Sequence, residues 1–252
     1  MLQCQGATLR AGGKTLLGDT TVDVQAGRFT AILGPNGAGK STLLSLLSGQ
    51  RRPDAGTVLL DATPLHTMAA DTLALRRAVM PQDSVVAFDF TAREVAELGR
   101  YPHRRGPAPD EAGIVSQALQ ATGVAHLAAR IFNTLSGGEK ARVHLARALA
   151  QVWPGQPGGV VRWLLLDEPT AALDLAHQHQ ALALLRRWAH EQGVGVVAVL
   201  HDLNLALRYA DDAIVLAQGE PCSSGAVANV LEPARISRVW GVACEPVHGA
   251  QG

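Results

Sequence analysis

The nine residues GPNGAGKST, from Gly34 to Thr42, constrain the fold of this chain more than any other stretch. They match the pattern G-x-x-x-x-G-K-[ST], in which a glycine-rich loop joins a strand to a helix and surrounds phosphates with backbone N–H groups. The preceding segment, RFTAIL, has the composition of a buried strand, and KSTLLSLLSG has leucines at helical spacing. The sequence therefore predicts a strand, loop and helix unit that binds a nucleoside triphosphate.

The residue types in this loop each have a chemical reason. Glycines allow the backbone to curl around phosphates, because a Cβ at these positions would obstruct the curl. Lys40 is expected to reach the β- and γ-phosphates, and Ser41 to ligate Mg²⁺. The predicted nucleotide-binding segment consists of Gly34, Pro35, Asn36, Gly37, Ala38, Gly39, Lys40, Ser41 and Thr42.

Two adjacent carboxylates follow an apolar segment in RWLLLDEPT. Such a segment is typical of a buried strand, and its end places Asp167 and Glu168 at one edge of a sheet. Asp167 is placed to hold Mg²⁺, directly or through water. Glu168 is placed to polarise the water that attacks the γ-phosphate. The segment thus predicts the hydrolytic half of the site.

A second glycine-rich helix start, LSGGE, lies about a hundred residues after the phosphate loop. It offers the Ser136 hydroxyl and the N–H groups of Gly137 and Gly138 at a helix N-terminus, which favours an anion. The residues alone leave open whether both anion sites face the same nucleotide.

The order of predicted elements indicates an α/β fold. Short β segments precede the phosphate loop, separated by glycines that include Gly18, and helical patterns dominate from about Pro81 to Ala129. Thr91 and Asp110 are placed to cap two of these helices, and the stretch YPHRRGPAP between them predicts a loop. Helices and strands then alternate, which predicts a mainly parallel sheet flanked by helices. The last stretch, NVLEPARISRVWGVACEPV, predicts short helices and a final strand. With 252 residues, of which 47% are hydrophobic, the chain can bury a full core as a single domain, residues 1–252.

The motifs GPNGAGKST, Gln82 in VMPQD, LSGGE, LLLDEPT, ALD and LHD follow one another along the chain. In this order they resemble the ATP-binding subunit of ABC transporters over almost the whole sequence. The resemblance implies a P-loop NTPase domain of the ABC ATPase type, with ATP and Mg²⁺ as cofactors. It also implies an N-terminal antiparallel β subdomain and a helical subdomain of about residues 82–150, inserted in the nucleotide-binding core.

By the same resemblance, Glu168, His201 and Gln82 would be the catalytic residues, with His201 contacting the γ-phosphate. Gln82 would sense Mg²⁺ and couple the site to the membrane subunits, and the metal-binding set would be Ser41, Gln82 and Asp167.

The resemblance also answers what LSGGE binds. In this family the LSGGE segment of one subunit closes on the ATP held by the other, so a homodimer is expected. Ser136, Gly137 and Gly138 would contact the partner's nucleotide, and Asp174 would lie in the loop that crosses the dimer interface.

One stretch departs from the family pattern. The family usually places an aromatic ring near the end of the first strand to stack on adenine, whereas the matching stretch here, LRAGGK, has Arg10 and Ala11. Arg10 stacks on the base as a guanidinium plane, or adenine is held loosely. Both alternatives stay open.

Charge and hydropathy exclude several classes of protein. The chain has 22 basic and 22 acidic residues, so the charge expected of a dedicated nucleic-acid binder is missing, and no nucleic-acid partner is expected. No apolar stretch is long enough to span a bilayer, and the first residues do not resemble a signal peptide. The resemblance therefore implies two separate transmembrane permease subunits, an indirect periplasmic substrate-binding protein, and a peripheral location on the cytoplasmic face of the inner membrane.

The segments FTAREVAELGRYPHRRG and SRVWGV resemble the import group for ferric siderophores, haem and vitamin B12. The Pro/Gly-rich insert QVWPGQPGGVVRW is similar to that of haem-importer ATPases, which favours haem import. Import of a ferric siderophore or vitamin B12 is the alternative, and a soluble ABC ATPase without a transport role is a further one.

The basic run Arg100, His103, Arg104 and Arg105 is expected to be solvated or to face a membrane subunit.

Overall fold

The computed structural model of the protein describes residues 1–82, 86–153 and 160–245. The strands are Leu2–Ala11 (β1), Lys14–Val24 (β2), Phe29–Leu33 (β3), Ala55–Leu60 (β4), Thr63–Pro64 (β5), Arg77–Met80 (β6), Trp163–Asp167 (β7), Gly195–Val199 (β8), Asp212–Ala217 (β9) and Glu220–Ala226 (β10). The α-helices are Lys40–Leu47 (α1), Ala70–Arg76 (α2), Ala92–Glu97 (α3), Glu111–Ala121 (α4), Gly137–Gln151 (α5), Leu175–Gln192 (α6), Leu203–Tyr209 (α7), Val227–Val230 (α8) and Pro233–Trp240 (α9).

A six-stranded sheet forms the centre of the molecule, with strand order β10-β9-β3-β8-β7-β6. Its neighbouring strands are parallel except for the β9–β10 hairpin. Strands β3 and β8 are buried along their whole length, because apolar residues point into a core on each face. The prediction of a mainly parallel sheet is confirmed, and the carboxyl ends of β3, β7 and β8 meet at one edge.

The N-terminal sheet is antiparallel, with strand order β2-β1-β4-β5. Several short segments were predicted here, whereas β1 and β2 are two long strands joined at Gly12 and Gly13, both with positive φ. Gly18 lies inside β2 instead of ending a strand. Register shifts interrupt the pairing of β1 with β2, so the alternation that would reveal a long strand is broken in the sequence.

Two hydrophobic clusters cover the faces of the central sheet. Ile32, Leu165 and Val199 contribute to the cluster shared with α1 and the N-terminal sheet. Their neighbours along the same strands, including Leu164 and Ala198, belong to the opposite cluster, which contains the helices between β6 and β7. This alternation arises because successive side chains of a strand point to opposite faces of the sheet, and it fixes the face to which the last side chains of each strand point.

Side chains in the sequence define the starts of the helices between β6 and β7. Thr91 caps α3 in a capping box with Glu94, and Asp110 caps α4 through the N–H of Gly113. Both residues were predicted as caps from their positions. Helix α5 packs against α3 and α4. The division of residues 82–150 from the core as a subdomain stays a prediction.

The segment YPHRRGPAP, predicted as a loop, is partly helical, since residues Leu98–Arg105 form a 3₁₀ helix. Arg100 is buried and donates to the Ala150 carbonyl (2.6 Å), and the ring of the buried His103 lies 2.8 Å from the Gln151 carbonyl. The expectation of a solvated run is therefore wrong for these two residues. They satisfy carbonyl groups at the C-terminal end of α5, where the helix dipole also favours positive charge.

The C-terminal part holds an unpredicted strand, β10, followed by α8 and α9. The final strand predicted after α9 does not occur up to residue 245, and the rest of that stretch lies outside the described residues. Residues 154–159 of the Pro/Gly-rich insert also lie outside them. Within the described ranges, no helix combines the length and hydropathy needed to cross a membrane.

Candidate nucleotide-binding site

The phosphate loop connects the buried strand β3 to α1, as predicted. Gly34 has φ +148°, and a Cβ there would lie 2.2 Å from the Leu216 carbonyl oxygen, so only glycine fits. Helix α1 begins at Lys40, and Gly39 precedes it with a left-handed backbone and no side-chain cap. The first N–H groups of α1 are thus left without a side-chain acceptor, which is the arrangement that binds anions.

Lys40 lies over the loop, with only 6% of its surface exposed. Its Nζ donates to the carbonyl oxygens of Gly34 (2.9 Å) and Pro35 (3.0 Å). Burial lowers the pKa of the Lys40 ammonium, and the carboxylates of Glu168 and Asp167 act in the opposite direction. Lys40 is therefore a partly desolvated cation whose present acceptors are neutral carbonyls, which a phosphate oxygen can replace.

Asp167 ends β7 beside the start of α1. The Ser41 hydroxyl donates to its Oδ1 at 3.1 Å, so the predicted metal ligands from two separate motifs are in direct contact. Burial raises the pKa of the Asp167 carboxyl, and the hydrogen bond from Ser41 opposes that rise. A bound cation would favour the ionised form of this carboxylate.

Glu168 follows in a left-handed conformation, with φ +50°. Its Oε1 lies 2.6 Å from His201 Nε2, and its Oε2 accepts a hydrogen bond from Gln82 Nε2 at 3.1 Å. His201 follows β8 and Gln82 follows β6, so three strand ends bring these side chains together. The structure thus places the three predicted catalytic residues in contact.

A cleft of about 780 Å³ runs along these groups. Its lining includes the predicted residues Asn36, Gly37, Gly39, Lys40, Ser41, Thr42, Gln82, Glu168 and His201. Gly34 and Pro35 form the base of the loop beneath Lys40, and the Ala38 side chain is buried.

Four further residues line the cleft and were missed by the sequence reasoning: Thr15, Leu16, Gln218 and Gly219. They come from β2 and from the turn between β9 and β10, and the Gly18 N–H donates to the Gly219 carbonyl at 2.6 Å to join these segments. A two-residue turn between β segments can be read from the sequence. Its approach to the phosphate loop depends on tertiary packing that has no local signal.

Arg10, one candidate for contacting the base, is the cross-strand partner of Thr15 in the β1–β2 hairpin. It is exposed and does not line the cleft. Ala11, the other residue in the stretch where the family usually has an aromatic ring, is exposed at the end of β1.

The LSGGE residues form a second surface. Ser136 is the exposed N-cap of α5 in a capping box with Glu139, and Gly137 and Gly138 are the first helical residues. A Cβ on Gly138 would lie 3.0 Å from the Ala172 carbonyl oxygen, so the segment packs closely on the chain that leads to Asp174.

Asp174 caps α6 through the His177 N–H (2.9 Å) and is exposed. Hydrogen bonds from the backbone and side chain of His177 lower the pKa of its carboxyl. Ser136, Gly137, Gly138 and Asp174 do not line the described cleft of their own chain. The four residues predicted to contact a partner's nucleotide therefore lie apart from the residues predicted to bind the chain's own.

The donor set at the phosphate end of the cleft fits Mg²⁺. The Ser41 hydroxyl, the Asp167 carboxylate and the Gln82 amide supply oxygen atoms, which this hard cation prefers. The described residues contain no group of three or more His, Cys, Asp or Glu side chains suited to a metal. Mg²⁺ does not require one, since it is held by one or two carboxylates together with substrate phosphates.

Comparison with known proteins gives concordant matches. A family model described as ABC transporter matches residues 17–171. The hemin import ATP-binding protein HmuV of Pseudomonas fluorescens is 48% identical over 242 residues, covering 96% of this chain and 93% of the relative.

Two solved structures of a bacterial ABC transporter cassette are also similar. Its dimeric form has a TM-score of 0.78 and 28% identity, covering 90% of this chain and 99% of that chain. A dimeric post-hydrolysis form bound to ADP and Pi has a TM-score of 0.77, with the same identity and coverage.

Proposed function

This chain belongs to the ABC transporter family, and from that premise we propose that it is the ATP-hydrolysing subunit of a bacterial importer of haem (hemin). The observation that carries the proposal is the convergence of Lys40, Ser41 and Glu168 in one cleft, with Asp167 hydrogen-bonded to Ser41. A relative of this chain that is 48% identical is named for hemin import.

The cleft accounts for ATP binding and hydrolysis by its own residues. The triphosphate lies over the loop, where the N–H groups of α1 and the Lys40 ammonium meet its negative charge. Lys40 exchanges its bonds to Gly34 and Pro35 for phosphate oxygens. Glu168 orients the attacking water and accepts its proton, while His201 and Gln82 hold the carboxylate in place.

Ser41, Asp167 and Gln82 would hold Mg²⁺. When bound, this cation neutralises charge on the phosphate oxygens. The side chains are already grouped for this purpose, because Ser41 and Asp167 are hydrogen-bonded at the end of the cleft that also holds Glu168.

Hydrolysis takes place in a homodimer. Ser136, Gly137, Gly138 and Asp174 are all at exposed helix starts outside their own cleft, where a second copy can reach them. The N-terminus of α5 supplies N–H donors to the γ-phosphate held by the partner. The dimeric state of the similar cassette supports this arrangement.

The remaining partners follow from import. Two transmembrane permease subunits carry the haem, a periplasmic binding protein delivers it, and this chain acts as a peripheral subunit on the cytoplasmic face of the inner membrane. The balanced charge of the chain, with 22 basic and 22 acidic residues, favours this role over that of a soluble ABC ATPase acting on nucleic acid.

Growth on hemin as the sole iron source tests the proposal in a host that lacks this gene. The intact gene should restore growth, and Glu168→Gln should not, because the variant binds ATP without hydrolysing it. Glu191→Gln, which changes an exposed glutamate on α6, is the matched control and should restore growth. If the host without this gene still grew on hemin but no longer took up a ferric siderophore or vitamin B12, the alternative cargo would be identified.

A further inference from the structure

We propose that the groove between α4, α5 and α6 binds a small organic anion with an apolar body. The groove has a volume of about 370 Å³, and no described residue lines both this groove and the nucleotide cleft. A cavity of this size is typical of sites for small molecules. The proposal does not depend on the proposed ATPase function, because it concerns a different surface of the chain.

Three helices supply the lining of the groove. His177, Leu184 and Arg187 lie on one face of α6, because residues three and seven positions apart meet on the same side of a helix. Helix α5 contributes Arg142 and Leu145, which are also three positions apart. The C-terminal end of α4 completes the groove. Long polar side chains and short apolar ones therefore face the same space.

The floor of the groove is apolar. Leu145, Ala181 and Leu184 line the groove and are buried. All three belong to the hydrophobic cluster that contains the helices between β6 and β7, so their positions are held by the core. A ligand with an apolar body would remove the remaining exposed surface of this floor from water.

The ionisable side chains that line the groove are basic. They are Arg142, His177 and Arg187, and none of the described lining residues is Asp or Glu. Arg187 is exposed and makes no hydrogen bond or ion pair within the described part of the chain. Arg142 Nη1 donates to the Gly123 carbonyl at 3.2 Å, and its Nε is buried without an acceptor. Two guanidinium groups thus hold positive charge that the groove does not neutralise.

The two carboxylates closest in effect to Arg142 are already engaged at helix starts. Glu139 accepts from the Ser136 N–H at 2.7 Å, and Asp174 accepts from the His177 N–H at 2.9 Å. These hydrogen bonds are the main reason why the pKa of each carboxyl is lowered, and the charge of Arg142 adds to the effect. Neither carboxylate forms an ion pair with Arg142 among the described residues. An acceptor for its guanidinium therefore has to come from a ligand.

A second groove, of about 390 Å³, shows how internal pairing removes such a preference. It is also lined by basic residues, including Arg100 and Arg104, but Glu97 and Glu111 line it as well. Arg100 donates to Glu111 from Nε (2.6 Å) and from Nη2 (2.9 Å). Its positive charge is compensated within the chain, so we assign no anion to this second groove.

The fluorescent anion 8-anilinonaphthalene-1-sulfonate tests the proposal on the full-length chain, because it joins a sulfonate to an apolar aromatic body. The uncharged N-phenyl-1-naphthylamine is the matched probe, since such dyes also bind exposed apolar surface. The sulfonate should bind saturably, at least about tenfold more tightly than the uncharged dye, and ATP with Mg²⁺ should not displace it. Equal affinity for the two dyes, or displacement of the sulfonate by ATP, would overturn the proposal.

Three variants locate the bound sulfonate. Arg187→Gln should weaken its binding by about tenfold, and Ala183→Phe should do so at unchanged charge by filling the groove. Arg186→Gln, on the exposed neighbour that does not line the groove, is the control and should change the affinity by less than about twofold. Unchanged sulfonate affinity in either groove variant, or an equal loss in Arg186→Gln, would overturn the proposal and leave the ATPase proposal intact.

Discussion

At the residue scale, Glu168 combines an unusual backbone with two side-chain partners. A non-glycine residue in the left-handed region costs about 1–3 kcal/mol and persists only where its surroundings hold it. Here the turn after β7 directs the carboxylate between His201 and Gln82 instead of into solvent. The cost is consistent with a residue whose position matters for chemistry.

Replacing Glu168 with Gln should therefore separate binding from hydrolysis. The amide keeps the size of the side chain but cannot accept the proton of the attacking water, so hydrolysis should fall by about 10²–10⁴-fold. Affinity for ATP should stay within about twofold of the wild type, because the phosphate loop is untouched. Phosphate release and equilibrium nucleotide binding measure the two quantities. Hydrolysis at the wild-type rate would remove Glu168 from the role assigned to it.

The sequence predicted the residues that would bind phosphate and metal or catalyse hydrolysis better than the other residues that line the cleft. Ser41 and Asp167 lie 126 positions apart, yet their motifs indicated the contact because each supplies part of one reaction. Thr15 and Gln218 carry no such indication, since a threonine in a strand and a glutamine in a turn are ordinary residues. Their position in the cleft depends on how the hairpins pack against the loop.

At the scale of elements, α5 connects two distant features of the molecule. Its N-terminus presents Ser136, and its C-terminal carbonyls contact Arg100 and His103. The Gln151 side chain also donates to the carbonyls of Ala74 (2.8 Å) and Arg77 (2.9 Å), which ties this end of the helix to α2 and β6. The position of Ser136 thus depends on contacts made a full helix length away.

Gly99→Ala tests the contact between the 3₁₀ helix and α5. A Cβ there would lie 2.1 Å from the Arg147 carbonyl oxygen, so backbone must move, and unfolding free energy should fall by about 1–3 kcal/mol. Gly106→Ala is the matched control, since its Cβ would meet nothing within 4 Å, and its effect should stay within about 0.5 kcal/mol. Denaturant unfolding measures both. Equal stabilities would show that the two elements are not closely packed.

Glu111→Gln tests the ion pair that holds Arg100. Glu111 accepts from Arg100 Nε (2.6 Å) and Nη2 (2.9 Å), and only 7% of the Arg100 side chain is exposed. Removing the carboxylate leaves a buried guanidinium without its partner. Unfolding free energy should fall by about 1–3 kcal/mol at neutral pH, a figure reduced from that of a fully buried pair because Glu111 is 30% exposed.

The same pair predicts a pH dependence. The hydrogen bond from Arg100 holds the pKa of the Glu111 carboxyl below its ordinary value of 4.5. The folded state then binds this proton less readily than the unfolded state, so the stabilisation is complete above pH 4.5 and is lost as the pH falls through the folded pKa. The stability difference between wild type and Glu111→Gln should shrink from about pH 7 to about pH 3. A difference independent of pH would contradict this assignment.

Elements with local signals were predicted, and those decided by packing were not. Thr91 and Asp110 marked the starts of α3 and α4 because a cap acts on its own helix. Arg100 and His103 were predicted to be solvated, because no neighbouring residue in the sequence indicates that they pack against the C-terminal end of α5. Strand β10 was missed because its residues alternate weakly and none of them is fully buried.

At the scale of the whole molecule, the residues that we propose to contact nucleotide lie on two separate surfaces of the chain. The cleft contains the phosphate loop and Glu168, whereas Ser136 and Asp174 are exposed at helix starts elsewhere. Phosphoryl transfer requires charge stabilisation around the γ-phosphate, and the cleft alone leaves one side open. We therefore propose that two copies arranged head to tail complete each other's sites, which makes catalysis depend on the dimer.

Sedimentation velocity of Glu168→Gln, with and without ATP and Mg²⁺, tests this composite site most directly. The second variant needed is Glu168→Gln combined with Ser136→Asp, because Asp caps α5 as Ser does yet places a negative charge against the partner's phosphate. Glu168→Gln should be a monomer without nucleotide and a dimer with ATP, and the double variant should bind ATP with unchanged affinity and stay a monomer. Dimerisation of both variants to the same extent, or of neither, would contradict a site shared between two copies of the chain.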